Sequence, residues 1–361
     1  MMMNQIATYQ GGQGLTRQLS PATADFLKAV FEAGTAPNTR RAYQKDMLYF
    51  EAWANLARPE CACFPVPVAA VLQFISDHLG GMAAEVEAAL VGESKVKAMP
   101  GPHSLATIRR RLASLSVAHE TARAANPVKD SAVKETLKKA GKALAAQGVK
   151  PRKKRAALKL ILDKMLATCG ESLLDSRDRA LLLFAAASGG RRRSEVVAAR
   201  VEDLTPVEGG YLFRLQRSKT DQAGQGEDKP VLGRAARALE TWLSVSGIKE
   251  GPLFRGVNRH GQLMPVLGNG QGLTGETVAR IVKQRAYLAA RAEGMGEGQA
   301  REYAAHFGAH SLRSGFVTEW GLRGGSRGEG MALTGHRSSV VFDSYYQAGA
   351  VLNNPAARIF D

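Results

Sequence analysis

Apolar positions recur every three or four residues through most of the chain, the period of a helix with one face turned inward. Ser20-Pro21 offers an N-cap and a first-turn proline, and Phe26, Leu27, Val30 and Phe31 follow on one face. A second helix is expected from Asn38-Thr39, carrying Tyr43, Met47, Phe50 and Trp53 at helical spacing until Pro59 closes it. A third runs from about Val68 to Leu79 and stops at Gly80-Gly81. Ser104 caps a fourth with Ile108, Leu112 and Leu115 on one face, and a fifth covers roughly Ser131 to Gln147. No strand-like alternation interrupts this half. Residues 1–19 are polar and glycine-rich without periodicity, and a disordered tail is expected there.

Gly148 to Arg155 breaks the pattern. Glycine and proline end the helix, and five of the eight residues are cationic, so 148–155 reads as a basic linker. Beyond it, helical periodicity returns at Leu158–Leu166, Arg177–Ala187, Ala235–Ser244 and Glu276–Arg291. Tyr211 to Arg217 alternates as a strand does, a polar Gly- and Asp-rich loop follows, and Lys229-Pro230-Val231-Leu232 completes a hairpin. The expected architecture is mainly α: a helical domain over 20–147, then a mixed α+β domain over 156–361 with a small antiparallel sheet.

Composition sharpens this picture. The 361 residues include 49 lysines and arginines against 33 aspartates and glutamates, a formal net charge of +16. Such an excess suits a polyanionic partner, most simply nucleic acid. Candidate phosphate contacts are Arg40 and Arg41, Arg109, Arg110 and Arg111, and in the linker Arg152, Lys153, Lys154 and Arg155. Cys61, Cys63 and Cys169 make neither a disulfide framework nor a metal-finger spacing, so no metal is expected. The longest apolar run, Ala180 to Ala187, is too short for a bilayer, and the first residues show no signal peptide. A cytoplasmic protein without membrane contact is the expectation.

No Walker-type loop, dinucleotide fingerprint or paired-acid metal motif occurs. The second half instead carries an ordered set of cationic and imidazole side chains ending in a tyrosine: Arg192, Lys219, His310, Arg313, His336 and Tyr345. Arg192 and Glu195 are three apart, so the carboxylate can hold the guanidinium within one helical turn. His310 and Arg313 share one face of a helix beginning near Ser311, and Tyr345 lies nine residues after His336. Each alone has a plain structural explanation; their order is the signal.

That order resembles the tyrosine recombinase, or phage integrase, family. Gly190-Arg191-Arg192-Arg193-Ser194-Glu195-Val196 is similar to its first arginine box, and Arg217-Ser218-Lys219-Thr220 to its hairpin lysine motif. His310-Ser311-Leu312-Arg313-Ser314 resembles the His-x-x-Arg box, and Thr334-Gly335-His336 with Tyr345 the closing histidine and nucleophile. The helical first half, with Asn38-Thr39-Arg40-Arg41-Ala42-Tyr43, resembles the family's core-binding domain. Two features depart from the pattern: Arg191 stands where the family usually has an apolar residue, and 258–309 is longer than in compact members.

The resemblance implies a site-specific recombinase that cuts and rejoins DNA. Arg192 and Arg313 would clamp the nonbridging oxygens, with Glu195 orienting Arg192, and Tyr345 would attack phosphorus. His310 would take the phenolic proton, Lys219 protonate the leaving 5′ oxygen and His336 hydrogen-bond the phosphate. The product would be a 3′-phosphotyrosine, formed without ATP, metal or other cofactor. The expected partner is double-stranded DNA with inverted-repeat half-sites, bound by two copies of the chain per site and four in the synapse. The segment Gly349–Asp361 would dock on a neighbouring copy or pack on its own domain. Two alternatives are a type IB topoisomerase, cutting without synapsis, and a DNA-binding regulator on a recombinase scaffold, whose signature would be a lost member of the six.

Overall fold

The computed structural model describes residues 20–351, apart from 21, 24–25, 27–28, 31–33, 36, 93–95, 150–153 and 217–225. The chain divides into two compact units, Met1–Pro151 and Arg152–Asp361, a division that falls inside the basic segment read as a linker.

In the first unit, helical backbone covers the described residues from Ala22 to Gly34. It is followed by α1 (Pro37–Ala57), α2 (Val68–Gly80), α3 (Ala84–Val91), α4 (Leu105–Thr121) and α5 (Ser131–Ala146). Met47, Phe50 and Trp53 of α1 pack with Val71, Phe74 and Ile75 of α2 and with Ile108, Leu112 and Leu115 of α4. Trp53 stands edge-on to Phe74 at 5.0 Å. Full burial of each such side chain is worth roughly 1.5–3 kcal/mol. Ser104 caps α4 by accepting the Thr107 N–H at 3.2 Å. The short α3 escapes the sequence pattern: of its eight residues only Leu90 is fully buried, too little to mark a stripe.

The second unit holds α6 (Lys159–Ala167), α7 (Leu173–Ala187), α8 (Arg193–Ala198), α9 (Arg234–Ser246), α10 (Gly275–Ala292), α11 (Glu297–Ala305), α12 (Ala309–Leu322), α13 (Arg327–Thr334) and α14 (Ser339–Ala350). Between α8 and α9 lies an antiparallel sheet in the order β1 (Leu204–Val207), β2 (Gly210–Leu215), β3 (Glu227–Leu232). Phe213 pairs with Leu204 on one side and Lys229 on the other. The edge strand β1 also escapes the pattern, because three of its four side chains are exposed, and its edge position tolerates Pro206.

The second half of helix α7 is apolar all round and accordingly central: Ala180 to Ala185 are all buried. The helix's buried Asp178 is held by Arg177 at 2.8 Å and by Arg285 of α10 at 2.8 Å, and Arg285 also reaches Asp175 at 2.6 Å. This network fastens α10 to α7. Helices α12 and α14 meet at close range through glycine: a Cβ on Gly349 would lie 2.0 Å from the Thr318 carbonyl oxygen. Thr318 Oγ1 donates to the Tyr345 carbonyl at 3.2 Å, so α14 is set against α12 at the turn that carries the tyrosine pair. Among the described residues no helix is long and apolar enough to cross a membrane.

Candidate active site

The apolar run of α7 ends at Ser188-Gly189-Gly190, and the chain reverses there. Gly190 has φ +69°, and a Cβ on it would lie 2.5 Å from Arg313 Cα, so only glycine lets α12 back onto this turn. Arg313 Nη1 closes the approach by donating to the Gly190 carbonyl at 2.9 Å. Arg192 is the N-cap of α8. Glu195, one turn on and buried, accepts the Arg192 backbone N–H at 3.0 Å and its Nη1 at 2.6 Å. The guanidinium is thereby fixed, and part of it stays exposed.

Helix α12 brings His310 and Arg313. Arg313 is only 2% exposed, yet its hydrogen-bond partners among the described residues are neutral: the Gly190 carbonyl and His336 Nδ1, the latter at 3.3 Å. Burial, with the Arg192 charge nearby, pushes its pKa down to about 9. The guanidinium remains charged at neutral pH, and the drop expresses chiefly its removal from water.

A guanidinium only donates, so in this pairing Nδ1 of His336 accepts when the ring proton is on Nε2. Thr334 Oγ1 lies 2.7 Å from the same nitrogen. Burial first, then the Arg313 charge, depresses the His336 pKa to about 3. His336 is therefore a neutral ring, and in the Nε2–H tautomer it offers a donor to the site.

His310 Nε2 lies 3.2 Å from Tyr345 Oη, with the rings edge to face at 5.7 Å. Desolvation, followed by the charges of Arg313 and Arg192, holds His310 below the ordinary histidine value. It is neutral at pH 7 and able to accept the phenolic proton. The adjacent Tyr346 is committed elsewhere: its hydroxyl donates to the Gly325 carbonyl at 2.7 Å and its ring stacks on Phe342. One tyrosine of the pair faces a base.

Lys219 lies outside the described residues, as do Arg152 and Lys153. The other expected DNA-binding cations divide. Arg41 and Arg109 are exposed, and Arg40 is half-buried. Arg110 is half-exposed and paired with Asp46. Arg111 turns inward, contrary to the reading of three consecutive arginines as one phosphate-binding cluster. Its side chain is 10% exposed, its guanidinium lies 3.4 Å above the Tyr49 ring, and Asp46 is 3.6 Å away. Neighbouring helical residues project about 100° apart, so three in a row do not share a face. Lys154 and Arg155 are exposed, Lys154 Nζ donating to the Ala305 carbonyl at 2.6 Å and Arg155 lying over Tyr303.

Three residues around the site have no role assigned by the sequence: Thr334 and Arg191, which occur there only as neighbours within the His336 and Arg192 motifs, and Lys229, which reads only as part of a strand. Arg191 is buried at 1% exposure, although its position is one the resemblance marks as apolar. Among the described residues no group of three His, Cys, Asp or Glu side chains is placed to hold a metal.

No family model matches the chain. It is 28% identical over 342 residues to an integrase/recombinase xerD homolog of Selenomonas ruminantium, covering 91% of this chain and 87% of that one. It is 25% identical over 169 residues to the recombinase Cre of Escherichia phage P1, covering 44% and 48%. Among solved structures, a lambda integrase dimer bound to a COC′ core site matches with a TM-score of 0.51 at 15% identity, over 89% of this chain and 92% of that one. The motif order, the fold that carries it and a relative matched over nearly the whole length agree, and together they make the chain similar to the tyrosine recombinases.

Proposed function

We propose that this protein is a site-specific DNA recombinase that cleaves and rejoins strands through a 3′-phosphotyrosine on Tyr345. The observation that carries the reading is the hydroxyl of Tyr345 at 3.2 Å from a neutral histidine, beside guanidiniums that outnumber their carboxylates. Arg191, Arg192 and Arg313 share one buried carboxylate, Glu195, which leaves this part of the site two positive charges in excess. A phosphodiester brings one negative charge and gains nearly another as a fifth oxygen approaches phosphorus. The site is complementary to the second of these states.

In the proposed reaction Tyr345 Oη attacks phosphorus and passes its proton to His310 Nε2. The bond from phosphorus to the 5′ oxygen breaks, and that oxygen takes a proton, which we assign to Lys219. Arg192 and Arg313 hold the nonbridging oxygens, and His336 donates its Nε2–H to one of them. A 5′ hydroxyl from a second strand then reverses each step, and phosphoester bonds are conserved throughout. The assembly we propose is a dimer on inverted half-sites and a tetramer in the synapse, working in the cytoplasm; the neighbouring lambda integrase structure is itself a dimer on its core site. The relative matched over 91% of the chain is named for integration and recombination, which favours strand exchange over relaxation of supercoils.

The test is adduct formation. Sites are selected from a random duplex library, nicked next to the cleavage position, and incubated with the protein in excess EDTA. A covalent protein–DNA species whose tryptic peptide carries the nucleotide on Tyr345 is expected, because the arginines supply the charge a metal would otherwise bring. Failure to trap any adduct on selected sites, with binding intact, overturns the proposal.

A further inference from the structure

We infer that Arg191 is a positioning residue, tying the arginine box to the turn that presents His336 so that Arg192 and His336 address the same phosphate. The inference rests on the recombinase reading above.

Helix α13 ends at Gly335, which adopts the left-handed conformation, and the N–H groups of Gly335 and His336 both go to the Met331 carbonyl, at 2.8 and 3.2 Å. The carbonyls of Ala332 and Leu333 are left at a helix C-terminus, where no intrahelical donor follows. Each is met by a buried cation from another part of the unit. Lys229 of β3 donates to Ala332 at 2.8 Å, and Arg191 Nη2 donates to Leu333 at 2.7 Å. Positive charge suits this end of a helix on electrostatic grounds as well.

Arg191 does more than close a helix. It also donates to the Gly189 carbonyl at 3.2 Å and lies 3.6 Å from Glu195 Oε2. Glu195 is the carboxylate that fixes Arg192. One guanidinium therefore touches the group that orients Arg192 and the carbonyl three residues ahead of His336. The approach is tight: a Cβ on Gly189 would lie 2.5 Å from the Leu333 carbonyl oxygen and 2.8 Å from Arg191 Nη2. A buried arginine is expensive to keep in place of an apolar side chain, and here its acceptors sit on two separate catalytic segments. An apolar residue at 191 would leave Leu333 unmet and Glu195 with one guanidinium fewer.

The experiment uses the full chain and a nicked duplex at saturating protein, so that single-turnover rate and affinity are read separately. Arg191→Met is expected to slow adduct formation about 10- to 100-fold, the scale of a misplacement near 1 Å, with affinity for the duplex within about twofold of wild type. In a His336→Ala background the same change should cost clearly less than in wild type, because the part of the effect that passes through His336 is already lost and only the part through Glu195 and Arg192 remains. Losses that multiply across the two sites would show an independent role and overturn the inference. So would an unaltered rate in Arg191→Met alongside a normal wild-type adduct, whereas absence of adduct in wild type would sink the recombinase reading instead. If Arg191→Met does not fold, Arg191→Lys is used, and the His336 ring is followed by NMR without DNA. A shift of its nitrogen resonances away from their wild-type positions is expected; an undisturbed His336 in folded Arg191→Lys overturns the inference.

Discussion

Tyr49 Oη lies 2.8 Å from Nε2 of His78 in the first unit, and Tyr345 Oη lies 3.2 Å from Nε2 of His310 in the second. The two pairs have the same donor and the same acceptor. Their surroundings differ in solvent access and in the balance of charge. Tyr49 is fully buried, and desolvation pushes its pKa up to about 12. His78 stacks on Phe74, its Nδ1 bonds the Phe74 carbonyl at 2.6 Å, and burial holds its pKa near 3. A tyrosinate there would lie out of water beside a single guanidinium, Arg111, which Asp46 already engages, and a ring that resists protonation, so the proton has nowhere to go. His310 is exposed, Tyr345 is half-buried, and Arg192 and Arg313 stand by with charge to spare. A tyrosine next to a histidine is thus a structural strut or a nucleophile according to solvent access and the cations around it.

Replacing each hydroxyl separates the two roles most sharply. Tyr345→Phe is expected to lower adduct formation by at least about 10⁴-fold, the scale on which removing a nucleophile acts, while site binding stays intact. Tyr49→Phe should leave adduct formation per folded molecule unchanged and cost about 1–3 kcal/mol of stability, because it orphans the buried His78 Nε2. Gel-resolved adducts and denaturant titrations of both variants make the check. An active Tyr345→Phe or an inactive, fully stable Tyr49→Phe would dissolve the distinction.

Acid should act on both regions, through different events. In the site, His310 must be neutral to accept a proton, and its pKa lies below the ordinary histidine value. Adduct formation should therefore be flat at neutral pH and fall as pH drops through that lowered pKa; His310→Ala should remove this limb along with most of the rate. In the first unit, burial depresses His78 to about 3 and His103 to about 4, against about 6.5 when unfolded. The folded unit then binds fewer protons than the unfolded one. Its stability is complete above about pH 6.5 and declines as pH falls toward 4, with a slope on the order of two protons from these two residues, to which buried His119, also held below the ordinary value, adds. Hydrogen exchange of amides in α1 and α2 across this range reads the slope, and His78→Gln should reduce it by about one proton.

Much of this is legible in the sequence, and the exceptions share a cause. Helices with a clear apolar stripe, such as α1, α2 and α4, match their expected spans within a few residues. The edge strand β1 and the short helices α3 and α11 escape such a reading, since few of their side chains are buried and no period develops. For the site, chain order singles out Arg192, His310, Arg313, His336 and Tyr345, and the fold brings these five together around the Gly190 turn. What chain order does not carry is the direction of a side chain whose partner is distant in sequence. Arg191 reaches Leu333 across 142 positions, and Lys229 reaches Ala332 across 103. Pairings of that kind leave no spacing to read.

The smallest expected effect concerns three adjacent arginines on α4, and it carries the contrast between structural and functional charge from tyrosines to cations. Arg111 lies over Tyr49, the strut tyrosine, and beside the buried Asp46, which Ser114 Oγ also holds at 2.8 Å. Arg110 shares Asp46 but keeps half its side chain in solvent, and Arg109 is exposed while donating to the Leu137 carbonyl at 3.1 Å. If this helix follows a phosphate backbone, only the outer two are placed to displace counterions. Arg109→Ala and Arg110→Ala should each weaken binding to every duplex alike and flatten the log–log salt dependence by about 0.9 for each phosphate no longer neutralised. Arg111→Met should leave that slope unchanged and lower the stability of the first unit instead, because Tyr49 and Asp46 are deprived of their buried cation. Fluorescence anisotropy at several salt concentrations, set beside denaturant titration of the same variants, decides the matter. A slope that changes for Arg111 and not for its neighbours would mean that the inward guanidinium swings out when DNA arrives, and that the strut around Tyr49 opens with it.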